Sequence, residues 1–163
     1  AALVVDPGDE ILLAAASGQS IRFKESDIRS MGRTAGGVRA MKLGKGDIIV
    51  GADVVRKGDK TAEILVVSRN GYGKTTPADE YKTQNRGGSG IKTVKVTPKT
   101  GPLIAARVVS KNTEDAPEIV VVSKKGQVIR TDLSEIPSLS RSTQGVRIMK
   151  LRDGDAIASF VCL

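Results

Sequence analysis

An internal repeat constrains this chain more than any other feature. Three apolar runs open similar segments: ILLAAASGQSIRF from Ile11, ILVVSRNGYGKTT from Ile64 and IVVVSKKGQVIRT from Ile119, at offsets of 53 and 55 residues. The same offsets align Gly18, Gly71 and Gly126, then Asp27, Glu80 and Glu135, then Arg33, Arg86 and Arg141. Gly37-Val38-Arg39 aligns with Gly90-Ile91-Lys92 and Gly145-Val146-Arg147, and Lys42, Lys95 and Lys150 close the ladder. A period of this length marks a repeat architecture, in which each unit buries its apolar face against the next. The units divide at about 11–63, 64–118 and 119–163, with about 1–10 reading as the outer strand of a preceding unit.

Each unit reads as four short strands. In the first these are Ile11 to Ala16, Ser20 to Lys24, Val38 to Leu43 and Ile48 to Val55. Ser-Gly-Gln and Gly-Lys-Gly-Asp supply hairpin turns that need glycine at positive φ. Between the second and third strands, ESDIRSMGRTAGG is too short and glycine-rich for more than a helical turn and a loop. The third strand carries Met41 and Leu43 on one face and Val38 and Ala40 on the other. Strands covered on both faces suit sheets sandwiched between neighbouring sheets, as in propeller blades. The expected fold is all-β, with three four-stranded blades. AALVVDPGDE resembles VGADVVRKGD before the second unit, and AIASFVCL ends inside the equivalent strand of the third. The chain therefore reads as a piece of a longer array.

Composition limits the chemistry. The 163 residues contain no histidine and one cysteine, Cys162. Imidazole acid–base catalysis, the Ser-His-Asp and Cys-His arrangements and histidine zinc sites are thereby excluded. An internal disulfide is excluded too, and a reducing, cytoplasmic setting is the expectation. No cofactor motif and no metal site are expected. No apolar run reaches the roughly 20 residues a membrane helix needs, and no signal peptide is visible.

The charge balance points to a partner. Lys and Arg number 26 against 18 Asp and Glu, a net charge of +8. Such an excess favours polyanions, nucleic acid first. The aromatic residues are Phe23, Tyr72, Tyr81 and Phe160 alone, too few to stack unpaired bases, so duplex backbone is the better ligand. Gly73-Lys74-Thr75 imitates the end of a phosphate-binding loop. The glycine required five residues earlier is Ser68, and Thr76-Pro77 follows where a helix should begin. Its aligned counterparts, Ser20-Ile21-Arg22 and Val128-Ile129-Arg130, are hairpin strands, so a strand is expected here.

The segments RFKESDIRSMGR, GGVRAMKLGKGD, NGYGKTTPADEY and LSRSTQGVRIMKLRDGD resemble the C-terminal domain of the bacterial DNA gyrase A subunit over essentially the whole chain. The related domain of topoisomerase IV is the competing assignment. The resemblance implies a six-bladed β-pinwheel whose neighbouring blades exchange strands, with this chain as its last three blades. It also implies a basic outer rim that wraps duplex DNA without reading sequence, supporting negative supercoiling as the non-catalytic part of a type IIA topoisomerase. The implied partners are double-stranded DNA and the rest of the A subunit, together with the B subunit. The implied location is the bacterial cytoplasm at the nucleoid.

The family's heptapeptide Gln-Arg-Arg-Gly-Gly-Lys-Gly has a degenerate counterpart here, Gln84, Asn85, Arg86, Gly87, Gly88, Ser89 and Gly90. The family's catalytic tyrosine lies in a region outside the resemblance, so Tyr72 and Tyr81 read as structural. DNA-binding candidates are Arg33, Arg86 and Arg141 in the loops, with Arg39, Lys92 and Arg147 just beyond. Arg22, Lys74 and Arg130 are intermediate, and Lys42, Lys95 and Lys150 weaker. The acidic column Asp27, Glu80 and Glu135 offers an alternative, pairing with a basic column to pin the loops. Two further readings are a protein-docking propeller with incidental charge and a carboxylate enzyme. Open flanks on three blades of six lead us to expect either an exposed arc or self-association.

Overall fold

The computed structural model describes residues 2–111 and 117–163. Among them are eleven strands: β1 Glu10–Ala15, β2 Gln19–Lys24, β3 Ile49–Val55, β4 Ala62–Ser68, β5 Tyr72–Lys74, β6 Ile91–Lys92, β7 Leu103–Ser110, β8 Glu118–Ser123, β9 Val128–Asp132, β10 Val146–Arg147 and β11 Ile157–Cys162. The only helical pieces among the described residues are single 3-10 turns at Glu25–Asp27, Ala78–Glu80 and Leu133–Glu135. They fall in the stretch after each second strand, as the glycine-rich segments require. No described helix is long and apolar enough to cross a membrane.

The strands form three antiparallel sheets ordered β3-β1-β2-β6, β10-β5-β4-β7 and β11-β8-β9. The four strands read in one unit do not all stay in one sheet; blades exchange strands, as the family resemblance implies. The third strand of the second unit, β6, pairs with β2 of the first, Gln19 opposite Lys92 and Ser20 opposite Ile91. The third strand of the third unit, β10, pairs with β5 in the same way. Each blade is thus completed by the unit that follows it. Two expected strands do not form among the described residues: Val38 to Leu43, and the outer strand expected within about 1–10, where residues 2–9 form none. Both would be exchanged with an earlier blade, and no described sheet offers them a partner. Among the described residues β9 has no strand on its outer edge, where Val128 is 60% exposed.

The core lies between the blades. Leu12, Ala14 and Val55 of the first sheet pack with Ile64 and Val66 of the second and with Tyr81, which follows the Ala78–Glu80 turn. Leu65 and Val67 pack with Ile119 and Val121 of the third and with Leu133 of the turn after β9. Alternate residues of β4 therefore feed opposite cores, which is why its sequence reads as a continuous apolar run. Burying each such side chain contributes about 1.5–3 kcal/mol.

The seams need glycine. Gly145 has φ +80°, and a Cβ there would lie 2.6 Å from the Gly73 carbonyl oxygen. Gly90, at φ +74°, meets Ser20 in the same way.

Candidate nucleic-acid interface

The strands β3, β7 and β11 occupy equivalent positions in the three units and edge their sheets. Together they line one cavity of about 590 Å³ through residues 49–52, 104–107 and 158–160. Because these edges converge, the opposite edges, β6, β10 and β9, face outward. Lys92 on β6 and Arg147 on β10 are exposed there, and the aligned Arg39 is exposed too. The side chains of Arg39 and Lys92 have no ion pair or hydrogen bond among the described residues.

The loop arginines have other work. Arg86 donates from Nε to the Asp27 carbonyl at 2.8 Å and from Nη1 to the Arg39 carbonyl at 3.0 Å. Arg141 donates from Nη1 to the Lys92 carbonyl at 3.0 Å, and its Nε lies 4.0 Å from Glu80 Oε2. The backbone N–H of Arg141 also donates to Glu80 Oε2 at 3.2 Å, and its guanidinium lies over the Tyr81 ring. Each arginine thus clips its own unit to the carbonyl of a basic residue on the preceding unit. Arg33, the first of the column, is exposed, with no such partner among the described residues. The column expected to face DNA is therefore at least partly a set of seam clips. Among the described residues only Arg141 of this column has an acidic contact, across the seam with Glu80 of the preceding unit.

Lys74 is corrected outright. It is fully buried, and its Nζ donates to the Ser140 carbonyl, the Arg141 carbonyl at 2.9 Å and Thr143 Oγ1 at 3.1 Å. Gly73-Lys74 lies in a strand, as expected, but the ammonium points into the seam and not toward a ligand. Burial pushes its pKa down to about 8, while Glu80 pulls the other way and Arg141 adds to the fall. The folded chain consequently binds fewer protons than the unfolded chain between about pH 8 and 10.5, and stability rises with pH across that window. The thermal midpoint of the natural chain is expected to gain on that of Lys74→Met from pH 8 to 10. A constant gap between the two would show that this lysine titrates normally.

Arg22 and Arg130 are also engaged. Arg22 donates from Nε to Glu10 Oε2 at 2.5 Å and from Nη1 to the Ala78 carbonyl at 2.6 Å. Arg130 donates from Nε to Glu118 Oε2 at 2.6 Å, and that carboxylate holds its pKa up. In the second unit Glu63 pairs with Lys111 at 3.5 Å. The acidic column Glu10, Glu63 and Glu118 went unread in the sequence, although it shares the offsets of 53 and 55.

The degenerate heptapeptide is a docking loop. The Gln84 N–H donates to the Arg22 carbonyl at 2.7 Å and that of Gly87 to the Ala40 carbonyl at 2.6 Å. Gly88 accepts from the Lys42 N–H at 2.9 Å, while Asn85 and Ser89 are exposed and Gly90 occupies the tight seam position. The same register recurs one unit on, where the Lys95 N–H donates to the Thr143 carbonyl at 3.0 Å. These bonds fix the backbone of Lys42 and Lys95, yet Lys42, Lys95 and Lys150 all remain exposed. Their ammonium groups have no partner among the described residues. The column that looked weakest in the sequence is therefore the one left unpaired in all three units.

Comparison with known proteins fits this arrangement. The chain is 43% identical to the DNA gyrase A subunit of Staphylococcus epidermidis strain ATCC 12228 over 151 residues, 93% of this chain and 16% of that one. It is 42% identical to the DNA gyrase A subunit of Lawsonia intracellularis over 156 residues, 96% of this chain and 18% of that one. It thus spans under a fifth of these relatives. A solved DNA gyrase A C-terminal domain superposes with a TM-score of 0.81 at 27% identity, covering 96% of this chain and 51% of that one. The C-terminal domain of DNA topoisomerase IV superposes with a TM-score of 0.86 at 21% identity, covering 98% and 48%, which shows a shared fold. The family pattern described as "DNA gyrase C-terminal domain, beta-propeller" matches residues 9–56, 62–110 and 117–163. Those three segments follow the three units, and the chain belongs to the DNA gyrase C-terminal domain family, a β-pinwheel of the propeller type.

Proposed function

We propose that this chain binds duplex DNA along its outer edge, without reading sequence, as a non-catalytic part of a gyrase A subunit. In that role it helps wrap the DNA that the whole enzyme supercoils. The partners this reading implies are DNA and the rest of the A subunit, together with the B subunit. The observation that carries it is the repetition of unpaired cations. Lys92 on the outer edge with its exposed counterpart Arg39, and Lys42, Lys95 and Lys150, recur at the repeat offsets of 53 and 55 with no carboxylate in contact among the described residues. Repeated cations at a regular spacing around an arc match a curved phosphate backbone, and such contacts position DNA without carrying sequence information. Bending the duplex costs several kcal/mol, which many phosphate contacts together offset.

A gel-shift titration of relaxed duplex tests the reading. With about six phosphates neutralised, affinity should fall roughly a thousandfold between 50 and 200 mM salt. Equal, weak binding at both concentrations would instead favour a protein-docking module.

A further inference from the structure

The seam between the second and third units contains one cluster that the repeat does not explain. Arg147 lies opposite Tyr72 in the β5–β10 pairing, and its Nη2 donates to the Tyr72 hydroxyl oxygen at 3.2 Å. Its guanidinium carbon is 5.7 Å from the ring centroid, and Lys99 Nζ is 5.5 Å from the same centroid. Two cations therefore gather on one buried ring. By contrast, Arg22 and Arg130 each have a carboxylate beside them, Glu10 and Glu118. Neither Lys99 nor Arg147 takes part in such a pair. Bringing like charges together without an acid is unfavourable unless an anion completes the group.

The cluster is also held in place before any ligand arrives. Asn70 Nδ2 donates to the Lys99 carbonyl at 3.0 Å, and the Asn70 N–H donates to the Thr100 carbonyl at 3.0 Å. The Thr97–Gly101 turn closes on itself through the Gly101 N–H to the Thr97 carbonyl at 2.9 Å. Lys99 is thus anchored to the β4–β5 turn beside Tyr72, and Arg147 is anchored by strand pairing. Both cationic residues are exposed while the tyrosine is buried. Arg147 first, and Lys99 as well, hold the Tyr72 phenol below its ordinary range. An anion seated between the cations would reverse that shift.

The cluster is peculiar to one unit. Tyr72 aligns with Gln19 and Gln127, and Lys99 with Gly46 and Gly154, so neither neighbouring unit rebuilds it.

We infer that Lys99, Tyr72 and Arg147 form a phosphate clamp that grips a single phosphodiester of the duplex backbone at this seam. The ammonium and guanidinium donate to the non-bridging oxygens, and the tyrosine hydroxyl supplies a third donor. Charge-assisted bonds of this kind are shorter and stronger than contacts from solvated lysines. The clamp makes one point of the arc an anchor, with the repeated cations guiding DNA on either side. The inference rests on the DNA-binding reading given above.

The test uses the full 163-residue chain and a labelled duplex of about 20 base pairs followed by fluorescence anisotropy. Lys99→Gln should weaken binding about tenfold, the effect of losing one charge-assisted bond. Tyr72→Phe should weaken it less, and Lys124→Gln, an exposed charge removed elsewhere, by under about twofold. Titrating inorganic phosphate into the natural chain should raise the pH at which the Tyr72 phenol ionises, read by its absorbance at about 295 nm. Equal losses for Lys99→Gln and Lys124→Gln, with no phosphate effect on Tyr72, would overturn the clamp while leaving DNA binding intact. A natural chain that binds no duplex would overturn both the clamp's ligand and the function it rests on.

Discussion

Replacing Gly145 by alanine is expected to destabilise the fold by more than about 3 kcal/mol, and Gly90→Ala by a similar amount. Two costs combine at each site. An alanine held at φ +80° pays about 1–2 kcal/mol for the left-handed conformation alone. Its Cβ would also lie 2.6 Å from the Gly73 oxygen and 2.9 Å from the Gly73 carbonyl carbon, both backbone atoms that cannot swing aside. Relief requires the third strand of one unit to lift from the blade before it, which breaks the β5–β10 pairing. Gly37 provides the internal control. It has φ +78°, but nothing lies within 4 Å of its hypothetical Cβ, because no described blade faces that side. Gly37→Ala should therefore cost only the conformational term. At about 2–4 °C per kcal/mol for a chain of this size, the thermal midpoints of the two classes should differ visibly. Equal losses at Gly37, Gly90 and Gly145 would mean that the backbone angle matters and the strand exchange does not.

The repeat made the all-β architecture readable, because apolar alternation and turn glycines are local signals. β1, β2 and β3 lie within a residue of their expected bounds, and the helical turn at Glu25–Asp27 falls where the loop needed one. What the spacing could not show is which blade a strand completes. Val38, Ile91 and Val146 align in the sequence whether they pair within their own unit or with the one before. The bonds that decide it run between backbone groups, which leave no residue-type signature. The site was legible only as columns of charge. A column at 33, 86 and 141 looks identical whether its arginines face phosphate or a neighbouring carbonyl. The partners at Asp27, Arg39 and Lys92 are backbone oxygens and invisible to residue type. Two signals were nevertheless present. Lys74 aligns with Ile21 and Ile129, apolar positions that warn of burial. Glu10, Glu63 and Glu118 share the repeat offsets with the basic residues they neutralise in two of the three units.

The sharpest division lies between clips and contacts, and two variants separate them. In the first, Arg86 and Arg141 become alanine. Each loses hydrogen bonds from a charged donor to seam carbonyls, worth about 1.5–3 kcal/mol apiece in comparable settings. Exposure of these sites to water discounts that figure toward its lower end. The thermal midpoint should fall, and the folded fraction should still bind duplex, since the unpaired columns are untouched. In the second, Arg39, Lys92 and Arg147 become glutamate. Arg39 and Lys92 use only their carbonyls in the seam, so the backbone bonds from Arg86 and Arg141 survive the change. Arg147 gives up its bond to the Tyr72 hydroxyl, a modest loss at an exposed position. The fold should hold while duplex affinity drops across all sequences. With three phosphates no longer neutralised, the slope of log affinity against log salt should flatten by about 2.7. A glutamate variant that melts early would place this column among the clips. An Arg86 and Arg141 variant that keeps its midpoint but loses DNA would return the loop arginines to the interface, and the seam bonds would then be incidental to the fold.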